Sequence, residues 1–159
     1  MKAEEDVPRG DQVFDSYGMK DDSTFLMNYG FLPPSRKNIA LVRADLDVNG
    51  PHYNDKKELL QIMNKDIGSY IWMETLENSD VRLSLGWYRF LVFEEKDTEF
   101  PCDLGKLMVG EISYCSLKNE LKMWQRIKDD CAEVLKNYPT TVDEDKELLK
   151  DTSKFSFAE

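Results

Sequence analysis

Residues 117–138 carry the pattern that most limits what this chain can fold into. Leu121, Trp124, Lys128, Cys131, Leu135 and Tyr138 recur at spacings of three and four, and Ile127 and Val134 widen the stripe. About six turns of helix with so long an apolar stripe need a surface to pack against, so a helical domain is expected. Lys128 is its one polar member, and its stem can lie along the stripe's edge. Pro139 ends this helix. Thr141 and Glu144 then stand at capping-box spacing, with Asp143, Glu144 and Asp145 in the first turn of a final helix, where the dipole is positive.

The segment 81–95 reads as a second, buried helix. Its apolar residues Leu83, Leu85, Trp87, Phe90, Leu91 and Phe93 surround most of the cylinder, and Asp80 is a candidate cap. Gly86 within it costs about 1 kcal/mol of helix propensity relative to Ala, which points to a close helix contact there. Asn54 or Asp55 can cap a further helix through Leu59, Leu60, Ile62 and Met63, with Glu58 three residues after Asp55. Residues 39–46 read as a strand or extended arm, and 68–73 are open between strand and helix. Residues 98–110, with Pro101 and two glycines, read as a loop. The aromatic set Trp87, Phe90, Trp124 and Tyr138 is expected in the core.

Residues 1–34 differ from the rest. Residues 1–11 are charged and loop-like, and 12–17 form a short strand-like run with Val13 and Phe14 as its apolar members. Asp22 or Ser23 can cap a short helical turn that Gly30 closes as a left-handed cap, before Pro33 and Pro34 stop it. The fold class is therefore mostly α, a helical domain preceded by a short strand-bearing tail.

Charge narrows the partners. With 21 Lys and Arg against 31 Asp and Glu, the 159-residue chain has a net charge of −10, which disfavours nucleic acid and anionic membrane surfaces. No apolar run reaches the roughly 18–20 residues of a membrane span. Cys102, Cys115 and Cys131 lack metal-type spacing and read as reduced thiols without disulfides in an intracellular compartment; cytoplasm, nucleus and plastid are not distinguished. With a single histidine, His52, and no paired Cys or His set, no metal site is expected. The acidic neighbours Glu94–Glu95 and Asp129–Asp130 read as solvated charge, because adjacent residues on a helix point apart.

Two separated motifs then resemble a known family. Gly10-Asp11-Gln12-Val13-Phe14-Asp15-Ser16-Tyr17-Gly18, followed by Leu26-Met27-Asn28-Tyr29-Gly30-Phe31, resembles the C-terminal end of SET-domain methyltransferases of the Rubisco large-subunit lysine methyltransferase type. Asn119-Glu120-Leu121-Lys122-Met123-Trp124 and the run from Leu135 through Asn137-Tyr138-Pro139 to Lys146 are similar to the helical substrate-binding domain that follows there. Pro51-His52-Tyr53-Asn54-Asp55-Lys56-Lys57 is a weaker third match. The resemblance implies that residues 1–34 are the end of a SET catalytic domain. Residues 35–159 would be a substrate-binding domain, incomplete at its C-terminus.

By that resemblance Tyr17 is the catalytic residue, Tyr29 lines the lysine channel as a substrate-binding residue, and Phe31 packs against the cofactor's adenine. Methylating a lysine needs a neutral amine aimed in line at a sulfonium methyl, which is chiefly positioning and desolvation. The family's glycine-rich cofactor segment and Asn-His pair have no counterpart here. S-adenosylmethionine is therefore expected for a complete enzyme and not for this chain alone, which is expected to be inactive by itself. The implied partner is a lysine-bearing protein substrate. The alternative is a non-catalytic helical module that binds a protein partner, its acidic surface favouring basic patches.

Overall fold

A computed structural model of the protein describes residues 6–14, 18, 20–32, 39–74, 81–98 and 101–150. The chain divides into two compact units, Met1–Ile39 and Ala40–Glu159.

In the first unit, Asp21 starts helix α1 (Asp22–Tyr29). Its carboxylate accepts from the Thr24 amide at 3.2 Å and from the hydroxyls of Ser23 and Thr24. The Ser23 hydroxyl first, and then that of Thr24, hold the Asp21 carboxyl below its ordinary range. The cap thus falls one residue before the expected Asp22, because the Asp21 carbonyl already accepts from the Phe25 amide. Gly30 ends the helix at φ 75°, its amide bonded to Leu26 O, as a left-handed cap does. Gln12, Val13 and Phe14 belong to no strand, and Val13 and Phe14 are exposed. Residues 15–17, the remainder of the strand-like run, lie outside the described residues.

The second unit is mostly helical, with one two-stranded sheet. Strands β1 (Ile39–Asp45) and β2 (Gly68–Glu74) are equally long, and Leu46 N donates to Ile67 O just beyond their ends. That rung at those positions requires opposite strand directions. Helix α2 (Tyr53–Ile62) connects them. It begins earlier than expected: His52, at φ 56°, is its N-cap without a side-chain bond, and the His52 carbonyl accepts from Lys56 N. Asn54 and Asp55 therefore lie inside the helix, and neither caps it.

Helix α3 (Arg82–Val92) is the central one, with Gly86 through Leu91 all buried. It stops short of the expected Glu95 because Phe93 turns extended, at ψ 132°. The expected cap Asp80 lies outside the described residues. Trp87 Nε1 donates to Ala44 O at 3.0 Å, tying α3 to β1. Its indole stands 5.6 Å from the Phe90 ring, in a core that adds Ala44, Leu60, Ile71, Tyr88, Met108 and Met123. The stretch expected as a loop instead holds helix α4 (Leu104–Met108), because the Asp103 carboxylate accepts from Lys106 N and caps it. Leu107 of α4 forms a second small core with Phe93 and Cys115.

Ser116 caps helix α5 (Leu117–Lys136) by accepting from Asn119 N, and α6 (Val142–Lys150) follows Pro139. The expected box at α6 is present: Thr141 N donates to Glu144 Oε2 at 2.7 Å, and Glu144 N to Thr141 Oγ1 at 3.3 Å. The orientation of α5 corrects the expected core. Trp124 is 55% exposed and Tyr138 63%, with Leu121 and Leu135 equally open, while Asn119 and Met123 face inward. Leu121, Trp124, Leu135 and Tyr138 form an outer face, while Ile127, expected to widen the stripe, packs against the core and Cys131 and Val134 are half-buried.

A buried lysine closes α3. Lys56 on α2 is inaccessible to solvent, and its Nζ donates to Leu91 O at 2.8 Å and Phe93 O at 2.9 Å. The last carbonyls of a helix attract a cation. Burial nonetheless pushes Lys56 down to about 8, with Glu94 opposing that shift and Lys122 adding to it.

Two outcomes follow. A Cβ at Gly86 would stand 2.7–2.8 Å from backbone atoms of Leu107, Met108 and Gly110. Gly86→Ala should therefore cost about 1–3 kcal/mol in urea unfolding despite its better helix propensity. For Lys56 the unfolded chain binds the extra proton between pH about 8 and the ordinary value of 10.5, so Lys56 makes stability rise with pH across that window. Burial raises Cys115 to about 12, which acts oppositely as pH passes 9. The difference between the parent protein and Lys56→Met isolates the lysine, and it should shift in the parent's favour from pH 8 to 10.5.

Candidate functional site

Two surfaces hold the residues singled out by the sequence. The first lies on the N-terminal unit. Tyr29 ends α1 and Phe31 follows the left-handed turn at Gly30, which reverses the chain sharply enough to bring both rings together at 6.4 Å. Phe25, one helical turn before Tyr29, completes a triangle: its buried ring is 5.9 Å from Tyr29 and 5.8 Å from Phe31. Tyr29 and Phe31 remain 40% and 42% exposed, so each presents an aromatic surface outward while leaning on Phe25. Tyr17 lies outside the described residues. Phe25 was not singled out as part of the site, although its i, i+4 relation to Tyr29 is a readable signal.

The second surface is the outer face of α5. Leu117, Leu121 and Trp124 are exposed in consecutive turns, and Leu135 and Tyr138 continue the line near the helix end. Met123 and Ile127 pack into the core, and charged contacts along the flanks of α5 hold this orientation. Arg89 of α3 grips Glu120 with two parallel bonds, Nε to Oε1 at 2.7 Å and Nη2 to Oε2 at 2.9 Å, both side chains largely buried. Lys118 reaches Asp97 at 2.5 Å, and Lys122 reaches Asp97 at 2.6 Å and also Glu94. Further along, Arg126 Nη2 donates to Asp45 O at 3.1 Å.

These partners shift the acids in a consistent direction. The hydrogen bond from Lys118, then that from Lys122, holds the Asp97 carboxyl below its ordinary range. Lys122 and then Lys96 do the same for Glu94. Glu94 is thus held as a paired anion, and Asp130 is paired with Arg126 at 2.8 Å. Neither acidic doublet forms a carboxylate dyad fit for acid–base work. Among the described residues no group of three His, Cys, Asp or Glu is arranged to hold a metal ion, and no helix is long and apolar enough to cross a membrane.

With this geometry established, three comparisons bear on it. A family model described as Rubisco LSMT substrate-binding matches residues 47–157. Actin-histidine N-methyltransferase of Mus musculus is 24% identical over 154 residues, covering 92% of this chain and 26% of the relative. The Homo sapiens protein of the same name shows the same identity and coverage. The chain thus spans about a quarter of the length of the curated relatives it matches. Among solved structures, the SET domain of LSMT bound to lysine and AdoHcy superposes with a TM-score of 0.61 at 21% identity, over 91% of this chain and 34% of that one. Rubisco LSMT bound to sinefungin and monomethyllysine gives 0.62 at 21%, over 89% and 34%.

The Arg89–Glu120 pair gives a direct check on what orients α5. Glu120→Ala strands a buried guanidinium and should cost about 3–5 kcal/mol in urea unfolding. Glu120→Gln, which retains an acceptor, should cost less.

Proposed function

The chain belongs to the Rubisco LSMT substrate-binding family, and from that membership we propose that it is the target-holding portion of an S-adenosylmethionine-dependent protein-lysine N-methyltransferase. In this reading residues 1–34 are the last part of the SET catalytic domain, and residues 35–159 hold the protein to be methylated. The observation that carries it is the outer face of α5. A long helix held by its buried Met123 and by ion pairs along its sides leaves Leu117, Leu121, Trp124 and Leu135 exposed, and Tyr138 continues the line beyond its end. Exposed apolar residues in one line, with a tryptophan among them, are the composition of a protein-docking surface.

The chemistry assigned to the N-terminal unit is positioning. S-adenosylmethionine, when bound in the complete enzyme, supplies an electrophilic methyl carbon. The Tyr17 hydroxyl orients the acceptor nitrogen after it has lost its proton. Tyr29 walls the channel through which the side chain enters. Phe31 offers a flat face to an aromatic ring, and the open sides of Tyr29 and Phe31 fit that use. Excluding water around the amine keeps its lone pair free for in-line attack. In this reading the cofactor pocket is completed in the full enzyme, and methyl transfer belongs to it.

The acceptor is assigned as lysine on Tyr29 and on the family match. A histidine acceptor is the second reading, favoured by the likeness to actin-histidine N-methyltransferases across nearly the whole chain. Methylation of a cell extract by the full-length parent, with Tyr17→Phe as the control, distinguishes the two by the residue that gains mass. Methyl-lysine lost in the control supports the assignment, methyl-histidine replaces it, and no methylation leaves the non-catalytic binding module. In the parent, Leu121→Asp and Trp124→Ala should raise KM for the protein target tenfold or more while leaving kcat unchanged. An unchanged KM would remove α5 from the docking surface.

A further inference from the structure

The geometry points to Cys102 and Cys115 as a redox-active dithiol, a site that a peroxide converts reversibly into an intramolecular disulfide. The two sulfurs lie 2.9 Å apart, both as free thiols, although they stand thirteen positions apart in sequence. Their surroundings differ in the way such a pair requires. Cys102 is half-buried and lines a cleft of about 540 Å3, bordered by His52, Asp55, Glu95, Pro101 and Leu104. Cys115 is sealed beside Phe93 and Leu107 and has no exposure to solvent. One sulfur is open to a small oxidant, and the other waits behind it. Burial, together with the contact from Cys102, pushes the Cys115 thiol up to about 12, which leaves Cys102 as the sulfur that reacts first.

The steps balance with a hydroperoxide as the oxidant. The Cys102 thiolate attacks one peroxide oxygen and breaks the O–O bond; with hydrogen peroxide, the departing hydroxide takes the Cys102 proton as water. Cys102 is then a sulfenic acid. The Cys115 sulfur attacks the Cys102 sulfur, the S–O bond breaks, and the leaving hydroxide takes the Cys115 proton as a second water. Two thiols have lost two electrons and two protons to the peroxide. The new bond joins the ends of the segment that holds α4, directly before Ser116, the cap of α5. It therefore restrains the unfolded chain across α4 and fixes the start of the helix that presents Trp124.

The test uses the full 159-residue chain with equimolar hydrogen peroxide. The expected result is a mass lower by two hydrogens, a fall in titratable thiols from three to one, and a peptide map linking Cys102 to Cys115. The unfolding midpoint should rise by several degrees, and dithiothreitol should reverse every change. Cys131→Ser should behave identically apart from its missing thiol, and it keeps the test valid if Cys115→Ser fails to fold. In Cys115→Ser that does fold, Cys102 should accumulate as a dimedone-reactive sulfenic acid. Oxygen added to Cys102 with Cys115 still titratable, a link through Cys131, or three unreacted thiols would each overturn the proposal.

Discussion

The bidentate bond between Arg89 and Glu120, beside the core packing of Met123, holds one side of α5 inward, and the surface assigned to the target protein depends on it. Both side chains are largely withdrawn from solvent, so neither can rotate away without leaving a charge unpaired in a poor dielectric. Lys118 and Lys122, two residues to either side, repeat the restraint through Asp97 and Glu94. A helix with two apolar stripes is thereby held in one rotation about its axis. Leu121 and Trp124 face outward because Met123 is committed to the core and the charges along the helix have found partners.

Helix α3 receives most of these restraints. The indole of Trp87 bonds to β1, Arg89 to α5, the carbonyls of Leu91 and Phe93 to Lys56 of α2, and the missing side chain of Gly86 admits the backbone of α4. Each contact satisfies a polar group or an approach that would be costly if left unmade. A buried lysine is an expensive way to end a helix, and its depressed affinity for a proton records that cost. In return it answers two carbonyls that the helix cannot pair within itself. The consequence is a small unit in which the core and its polar ties are difficult to alter separately.

In the proposed function the two parts of the chain divide the work of a methyltransferase. That proposal places positioning chemistry on the N-terminal unit, where a glycine in the left-handed conformation brings Tyr29 and Phe31 onto Phe25. Recognition of a folded target is assigned to the long helix of the second unit. Family membership and a shared fold support that division. The dithiol at Cys102 and Cys115 lies beside the α5 cap, so oxidation would act on the recognition part alone.

What the sequence determined by itself is whatever closes within a few residues. The left-handed stop at Gly30, the reciprocal box of Thr141 and Glu144, the end of α5 before Pro139, and the close approach at Gly86 are all legible, because each local pattern restricts the backbone directly. So was the helical character of 117–138, and the pairing of two motifs that identified the family. Tertiary structure decided the rest. Periodicity finds a stripe but not the side to which it turns; for α5, salt bridges to residues 21 to 31 positions away and the burial of Met123 in the core left Trp124 and Tyr138 outside it. The start of α2 at His52, the helix at Leu104–Met108, and the contact of two distant cysteines likewise depend on neighbours that a local window does not contain.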